Sequence, residues 1–162
     1  MTTLTTIPAA ERAHGTVADE LARLLADTYT LYLKTHGYHW NVQGPQFRSF
    51  HLMFEEQYLE LQTAVDEIAE RIRALGPLAP GSYVELGRLT AVRDEEGAPE
   101  AMEMIHRLIE ANEVVVRTTH AVVRAAEAAG DQPSLDLATR RISIHEKTLW
   151  MLRATAAETP RR

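Results

Sequence analysis

Five residues in one stretch of the chain, His39, His51, Glu55, Asp66 and Glu70, have the side chains and the spacing of a metal site. Cysteine is absent, so thiolate sites and cysteine nucleophiles are excluded and any metal must rest on imidazole and carboxylate groups. Such mixed ligands suit Fe(II), Mn(II) or Zn(II), and bridging carboxylates hold a pair of irons well through a change of oxidation state. Iron is the metal we expect. Taken singly, acids and histidines of this kind are usually solvated or packed, but five at these intervals are hard to reach by chance.

The intervals imply a shared helix face. His51 and Glu55 are four apart, as are Asp66 and Glu70, and residues four apart lie one turn from each other on one side of a helix. Glu55 and Asp66 are eleven positions apart, nearly a whole number of turns at ~3.6 residues each. At ~1.5 Å per residue the two pairs are about 16 Å apart, too far to grip one ion whose ligands sit at ~2 Å. A second copy resolves this. In a two-fold dimer with these helices antiparallel, the His51–Glu55 pair of one subunit faces the Asp66–Glu70 pair of its mate, twice per dimer. His39 completes each site if the turn at Gly44 folds it back beside His51.

Helices must carry these residues. Apolar positions recur at helical spacing from Thr16 to Trp40 (helix A), and after the NVQGPQF turn a second helix runs from about Pro45 to Leu75, with Pro45 welcome in its first turn. Gly76, Pro77, Pro80 and Gly81 break the pattern before a short amphipathic SYVELGRL. Helix C is expected from Pro99 to Ala129, stopped by Gly130, and helix D from about Ser134 to Glu158. Strand alternation is missing. The expectation is an all-α fold, a ferritin-like four-helix bundle with a short extra helix between helices B and C. Residues 1–15 read as an N-terminal tail, 16–158 as the bundle domain and 159–162 as a C-terminal tail.

The stretch H-W-N-V-x-G-x-x-F-x-x-x-H, followed by D-x-x-A-E-R-I, resembles the signature of Dps proteins, dodecameric mini-ferritins also called DNA-protection-during-starvation proteins. The four-helix pattern extends the resemblance over nearly the whole chain. Position by position, it implies His39 and His51 as histidine ligands, Asp66 and Glu70 as carboxylates from the two-fold mate, and Glu55 at a position that is commonly Asp in the family. Trp40 matches the aromatic beside the site, which the family reading links to the handling of oxidising equivalents. The resemblance further implies Fe(II) oxidised at the dimer interface, preferentially by hydrogen peroxide rather than dioxygen, and ferric mineral stored in a hollow dodecamer. It makes Asp131 and Asp136, at the start of helix D, candidates for lining the three-fold pores; ordinary helix N-terminal acids are the alternative.

Composition bounds the other readings. At 162 residues with 45% apolar and 25% charged residues, the chain suits one soluble domain with its own core. MTTLTTIPAA carries no Lys or Arg and no long apolar run, so a cytoplasmic address with no membrane partner is expected. A net charge of −6 weighs against phosphate partners. DNA binding is therefore expected to be weak or absent, although a nucleoid-associated, DNA-protecting role with secondary iron binding is the rival function. Glu103 and His106 form a Glu-x-x-His pair of the sort found in internal di-iron bundles, but Ile142 stands where helix D would need its Glu before His145. Those two, and Glu11 with His14, are expected at the surface, and His36, His120 and His145 in packing roles.

Overall fold

A computed structural model describes the backbone of residues 9–157 and the side chains of residues 16–157. Its helices are α1 (Ala9–Asn41), α2 (Phe47–Leu75), α3 (Tyr83–Leu89), α4 (Ala101–Ala129) and α5 (Gln132–Ala156), with no strand among the described residues. This is the expected bundle with its extra short helix. The first helix starts earlier than expected, so residues 9–15 of the anticipated tail belong to α1. Ala9, Ala10, Glu11, Arg12 and Ala13 are good helix formers, and the single Gly15 costs only ~1 kcal/mol against Ala. Residues 1–8 and 158–162, with Arg161 and Arg162, and the side chains of Glu11 and His14 lie outside the described residues.

Both prolines expected inside first turns stand just before their helices, whose caps are Gln46 and Glu100. At the first of these, the Phe47 N–H donates to Gly44 O at 3.0 Å. That closes a four-residue turn in which Pro45 takes the second position, where its fixed φ is favoured. Gly44 itself has φ +114, open to glycine at little cost.

Cross-helix bonds fix the topology. Asp27 of α1 bonds Thr118 of α4, Asn112 of α4 bonds His145 of α5, and Arg71 near the end of α2 meets Asp131 and Ser134 at the start of α5. With the short α1–α2 and α4–α5 turns, this makes α1 and α5 run one way and α2 and α4 the other. α1 packs along α2 and α4, α4 along α5, and α3 crosses α1, whereas α2 and α5 touch little and leave a groove between them. Leu21, Leu24 and Leu31 of α1, Phe54 and Ile68 of α2, Leu108 and Val115 of α4 and Leu152 of α5 are fully buried in one core.

Two terminal devices set the helix ends near the site's supports. Gly130 closes α4 in the left-handed region (φ 67, ψ 26), and the Asp131 N–H reaches back to Ala126 O at 2.9 Å, a Schellman closure. Asp131 then caps α5, its carboxylate accepting from the Ser134 N–H. The loop before α4 hangs on Asp27, 1% exposed, whose carboxylate accepts from Thr90 Oγ1, the Ala91 and Val92 N–H groups and Thr118 Oγ1.

Candidate metal centre

His39 sits in the last turn of α1 and His51 in the second turn of α2, joined by the tight turn through Gly44. Val42, 2% exposed, pins that turn to the core. The two imidazoles stack at 3.8 Å between centroids with an 18° tilt. Each ring also bonds the other residue's main chain: His39 Nδ1 to His51 O and His51 Nδ1 to His39 O, both at 2.8 Å.

A carbonyl oxygen can only accept, so both Nδ1 atoms must carry the proton. In its neutral form each ring then keeps its lone pair on Nε2, the tautomer a metal ligand needs, with the Nδ1 hydrogen bond holding the ring in place. The bond from His51 also serves α1. His39 O belongs to the last turn, whose carbonyls have no partner within the helix, so the imidazole of one helix caps the other.

Glu55 follows His51 by one turn and is half-buried, while Asp66 and Glu70 are exposed further along α2. None of these three carboxylates makes a hydrogen bond or ion pair among the described residues. Glu60 and Glu67 contrast with them. At ~100° per residue these two fall on a separate stripe facing α5, where Arg141 binds Glu60 and Arg140 binds Glu67. Among the described residues no three His, Asp or Glu of one chain converge on a point that would hold a metal. The structure joins His39 to His51, keeps Glu55 beside them, and leaves Asp66 and Glu70 a helix segment away.

Aromatic rings wrap the histidines. Tyr58 stacks on His36 at 4.1 Å and meets the His39 ring edge-on at 5.1 Å; Trp40, 61% exposed, lies 4.1 Å from His36. Desolvation, then the nearby His39, hold the His36 pKa below its ordinary value. Spacing alone could have flagged Tyr58 and His36, since Tyr58 continues the His51–Glu55 stripe of α2 and His36 precedes His39 by one turn.

The bundle interior offers no rival centre. His145 donates from Nδ1 to Asn112 Oδ1 at 2.8 Å, and its Nε2 faces the Arg141 guanidinium at 3.1 Å, a permanent donor, so neither nitrogen is free for a metal. Arg141, 2% exposed, would also repel a cation there. Burial, then Arg141, push the His145 pKa down to about 3. His36 and His145 thus have packing roles, but His120 is exposed, contrary to expectation, because position 120 falls between the buried Thr119 and Val122 on the outer side of α4. Glu103 and His106 are at the surface, Glu103 paired with Arg107.

The two acids at the start of α5 differ in their surroundings. Asp131 is buried, capping α5 and paired with Arg71 at 2.7 Å. Burial raises its pKa, but bonds from Ser134 and Arg71 outweigh that and hold the carboxyl below its usual range. Asp136 is exposed and accepts from Gln132.

With this geometry in place, likeness to known proteins is decisive. The ferritin-like domain family model matches residues 18–162. The DNA protection during starvation protein 2 of Bacillus anthracis is 33% identical over 138 residues, covering 85% of this chain and 94% of that protein. The chain belongs to the Dps family. Among solved structures, Dps from Thermosynechococcus elongatus superposes with TM-score 0.90 at 31% identity, over 94% of this chain and 98% of that one. The Dps protein from Vibrio cholerae, described as a member of a broad superfamily of ferritin-like diiron-carboxylate proteins, superposes with TM-score 0.88 at 28% identity over 96% and 97%. No helix of the described residues is long and apolar enough to cross a membrane.

Proposed function

We propose that this Dps protein stores and detoxifies iron in the cytoplasm. Fe(II) is its substrate, oxidised to Fe(III) at a ferroxidase centre shared between two-fold mates, with His39, His51 and Glu55 from one subunit and Asp66 and Glu70 from the other. The observation that carries this is the reciprocal His39–His51 lock, which occupies both Nδ1 atoms and leaves both Nε2 atoms outside it, with Glu55, Asp66 and Glu70 on the second helix taken up by no Arg or Lys among the described residues. An imidazole pair with unpaired carboxylates suits a divalent cation and the extra charge of its oxidised form.

Hydrogen peroxide is the proposed working oxidant, ahead of dioxygen. Two ferrous ions give one electron each, the O–O bond breaks, and both oxygens leave at the oxidation level of water, so no hydroxyl radical escapes. Ferric product is held as mineral in a hollow dodecamer built from the two-fold dimers, and the exposed Asp136 is proposed to help draw iron in at the three-fold pores. Anaerobic Fe(II) loading followed by peroxide, read by ferric absorbance, tests the centre: His51→Ala should slow oxidation at least several-fold, and an unchanged rate would remove His51 from it.

A DNA-coating role is the second reading, favoured by the names of relatives such as the Bacillus anthracis protein. A net charge of −6 weighs against it. Tight binding of duplex DNA in a low-salt gel shift near pH 7 would reverse this ranking.

A further inference from the structure

Inside the bundle an imidazole and a carboxylate stand around a cation as metal ligands do, and the cation is a side chain of the protein. His145 of α5 donates from Nδ1 to Asn112 Oδ1 at 2.8 Å, and Asn112 is itself held by donating from Nδ2 to Leu108 O at 2.8 Å. An imidazole whose Nδ1–H is anchored in this way offers its Nε2 lone pair as a metal-binding histidine does. Nη2 of Arg141 lies 3.1 Å from that Nε2, and the same Nη2 lies 3.0 Å from Oε2 of Glu60 on α2. Nη1 binds the other oxygen of Glu60. One nitrogen of the guanidinium thus bridges a histidine and an acid from two helices that otherwise touch little.

The position is within reach of solvent. Between α2 and α5 a cavity of about 300 Å3 is lined by Glu60, Asn112 and His145, and by Glu56, one helical turn before Glu60. Lys147 lines it as well, but is exposed, so water and salt screen its charge. Metal–ligand bonds are ~2 Å long, so an ion placed at Nη2 would need each ligand to close by only about 1 Å. Glu60 is half-buried and has room for that movement.

Stability alone gives little reason for Arg141. The residue is 2% exposed, and its Nε is buried with no hydrogen-bond partner among the described residues. Apolar residues of similar volume commonly hold a fold as well as a buried ion pair does, and an unmet donor adds to the cost of the pair.

We propose that Arg141 is a resident cation that closes a latent divalent-metal site formed by Glu56, Glu60 and His145, so that the bundle interior refuses metal. Its charge already satisfies the acid and the imidazole, and a guanidinium cannot give up its proton to make way for an ion. The residue is a specificity determinant: it decides where in the chain a divalent ion is not held. This stands apart from the ferroxidase reading, which concerns other residues.

The test reads Co(II) binding by its visible ligand-field bands, on assembled, metal-free protein carrying His39→Ala/His51→Ala, so that the proposed shared centre contributes no imidazole. In this background, bands of a histidine-bound Co(II) should be missing. Adding Arg141→Met, which keeps an unbranched apolar stem and removes the charge, should give one further Co(II) per subunit, bound several-fold more tightly than any in the background. Adding His145→Ala to that variant should abolish the gain. Tight Co(II) binding in the background that His145→Ala removes would overturn the proposal with Arg141 untouched. An Arg141→Met protein that assembles and binds no more Co(II) would overturn it too, as would a gain that survives His145→Ala. If Arg141→Met does not assemble, Arg141→Ala carries the same arm; if neither assembles, Arg141 is a folding element and the proposal falls. Failure of the unaltered chain to oxidise Fe(II) would sink the ferroxidase reading and leave these Co(II) results standing.

Discussion

Two inactive chains should complement each other if every centre takes His39, His51 and Glu55 from one subunit and Asp66 and Glu70 from its mate. The perturbation is a pair of double variants, His39→Ala/His51→Ala and Asp66→Ala/Glu70→Ala, made singly and coexpressed. Along α2, Glu55 and Asp66 are separated by about 16 Å of helix, several times a metal–ligand distance of ~2 Å, so no rearrangement of side chains brings the halves together in one chain. A mixed dimer has one intact centre, since the histidines of the second variant meet the acids of the first, and one centre with every substituted ligand missing. Random pairing at equal expression makes about half the dimers mixed, so about one quarter of all centres should work. The assay is the initial rate of ferric absorbance per subunit after anaerobic Fe(II) loading and peroxide, on shells shown by intact mass to contain both chains. Mixed shells no faster than the mean of the two parents would refute the shared centre.

Other outcomes follow from the supports around it. Asp27→Ala strands two backbone N–H groups and two hydroxyls that now share its carboxylate, and should cost about 3–5 kcal/mol in urea unfolding; a loss below ~1 kcal/mol would mean the 90–92 loop is held by something else. The folded-state pKa of His145 is depressed to about 3, so the unfolded chain binds its proton first as pH falls. Its contribution to stability is therefore complete above the ordinary histidine range and is lost between that range and about pH 3. Among the described residues its hydrogen-bond partners are Arg141 of α5, itself bound to Glu60 of α2, and Asn112 of α4, and Glu56 and Lys147 line the same cavity. His145→Gln should flatten the acid limb of stability against pH measured from 7 to 4, and an equally steep limb in the variant would exclude His145 as its source. Gly130→Ala meets no atom within 4 Å but must hold φ +67, so melting should report a loss of about 1 kcal/mol from backbone strain alone.

Helix count and order, the short middle helix and most helix ends were legible because periodic apolar residues and Gly or Pro breaks are local signals. The start of α1 was missed for the same reason: Ala9 to Ala13 contain no apolar stripe, only good helix formers. The return of His39 to His51 was legible from spacing and motif, but not the bonds that lock the pair, since each joins a ring to the main chain of a residue twelve positions away. Longer separations were wholly opaque. Asp27 finds its donors 63 to 91 residues on, and Glu60 finds Arg141 81 residues on. Asp131 was read from its place ahead of a helix. Its burial depends on Arg71, 60 residues earlier and outside any local pattern.

The acceptors that lock His39 and His51 are main-chain oxygens, and main-chain oxygens survive substitution. Replacing His51 removes one lone pair yet leaves its carbonyl to hold the ring of His39, and the converse is equally true. The two proposed ligands therefore share a mount without depending on each other's side chains. Such a centre can be altered one ligand at a time, by mutation or over evolutionary time, and what remains still points the right way.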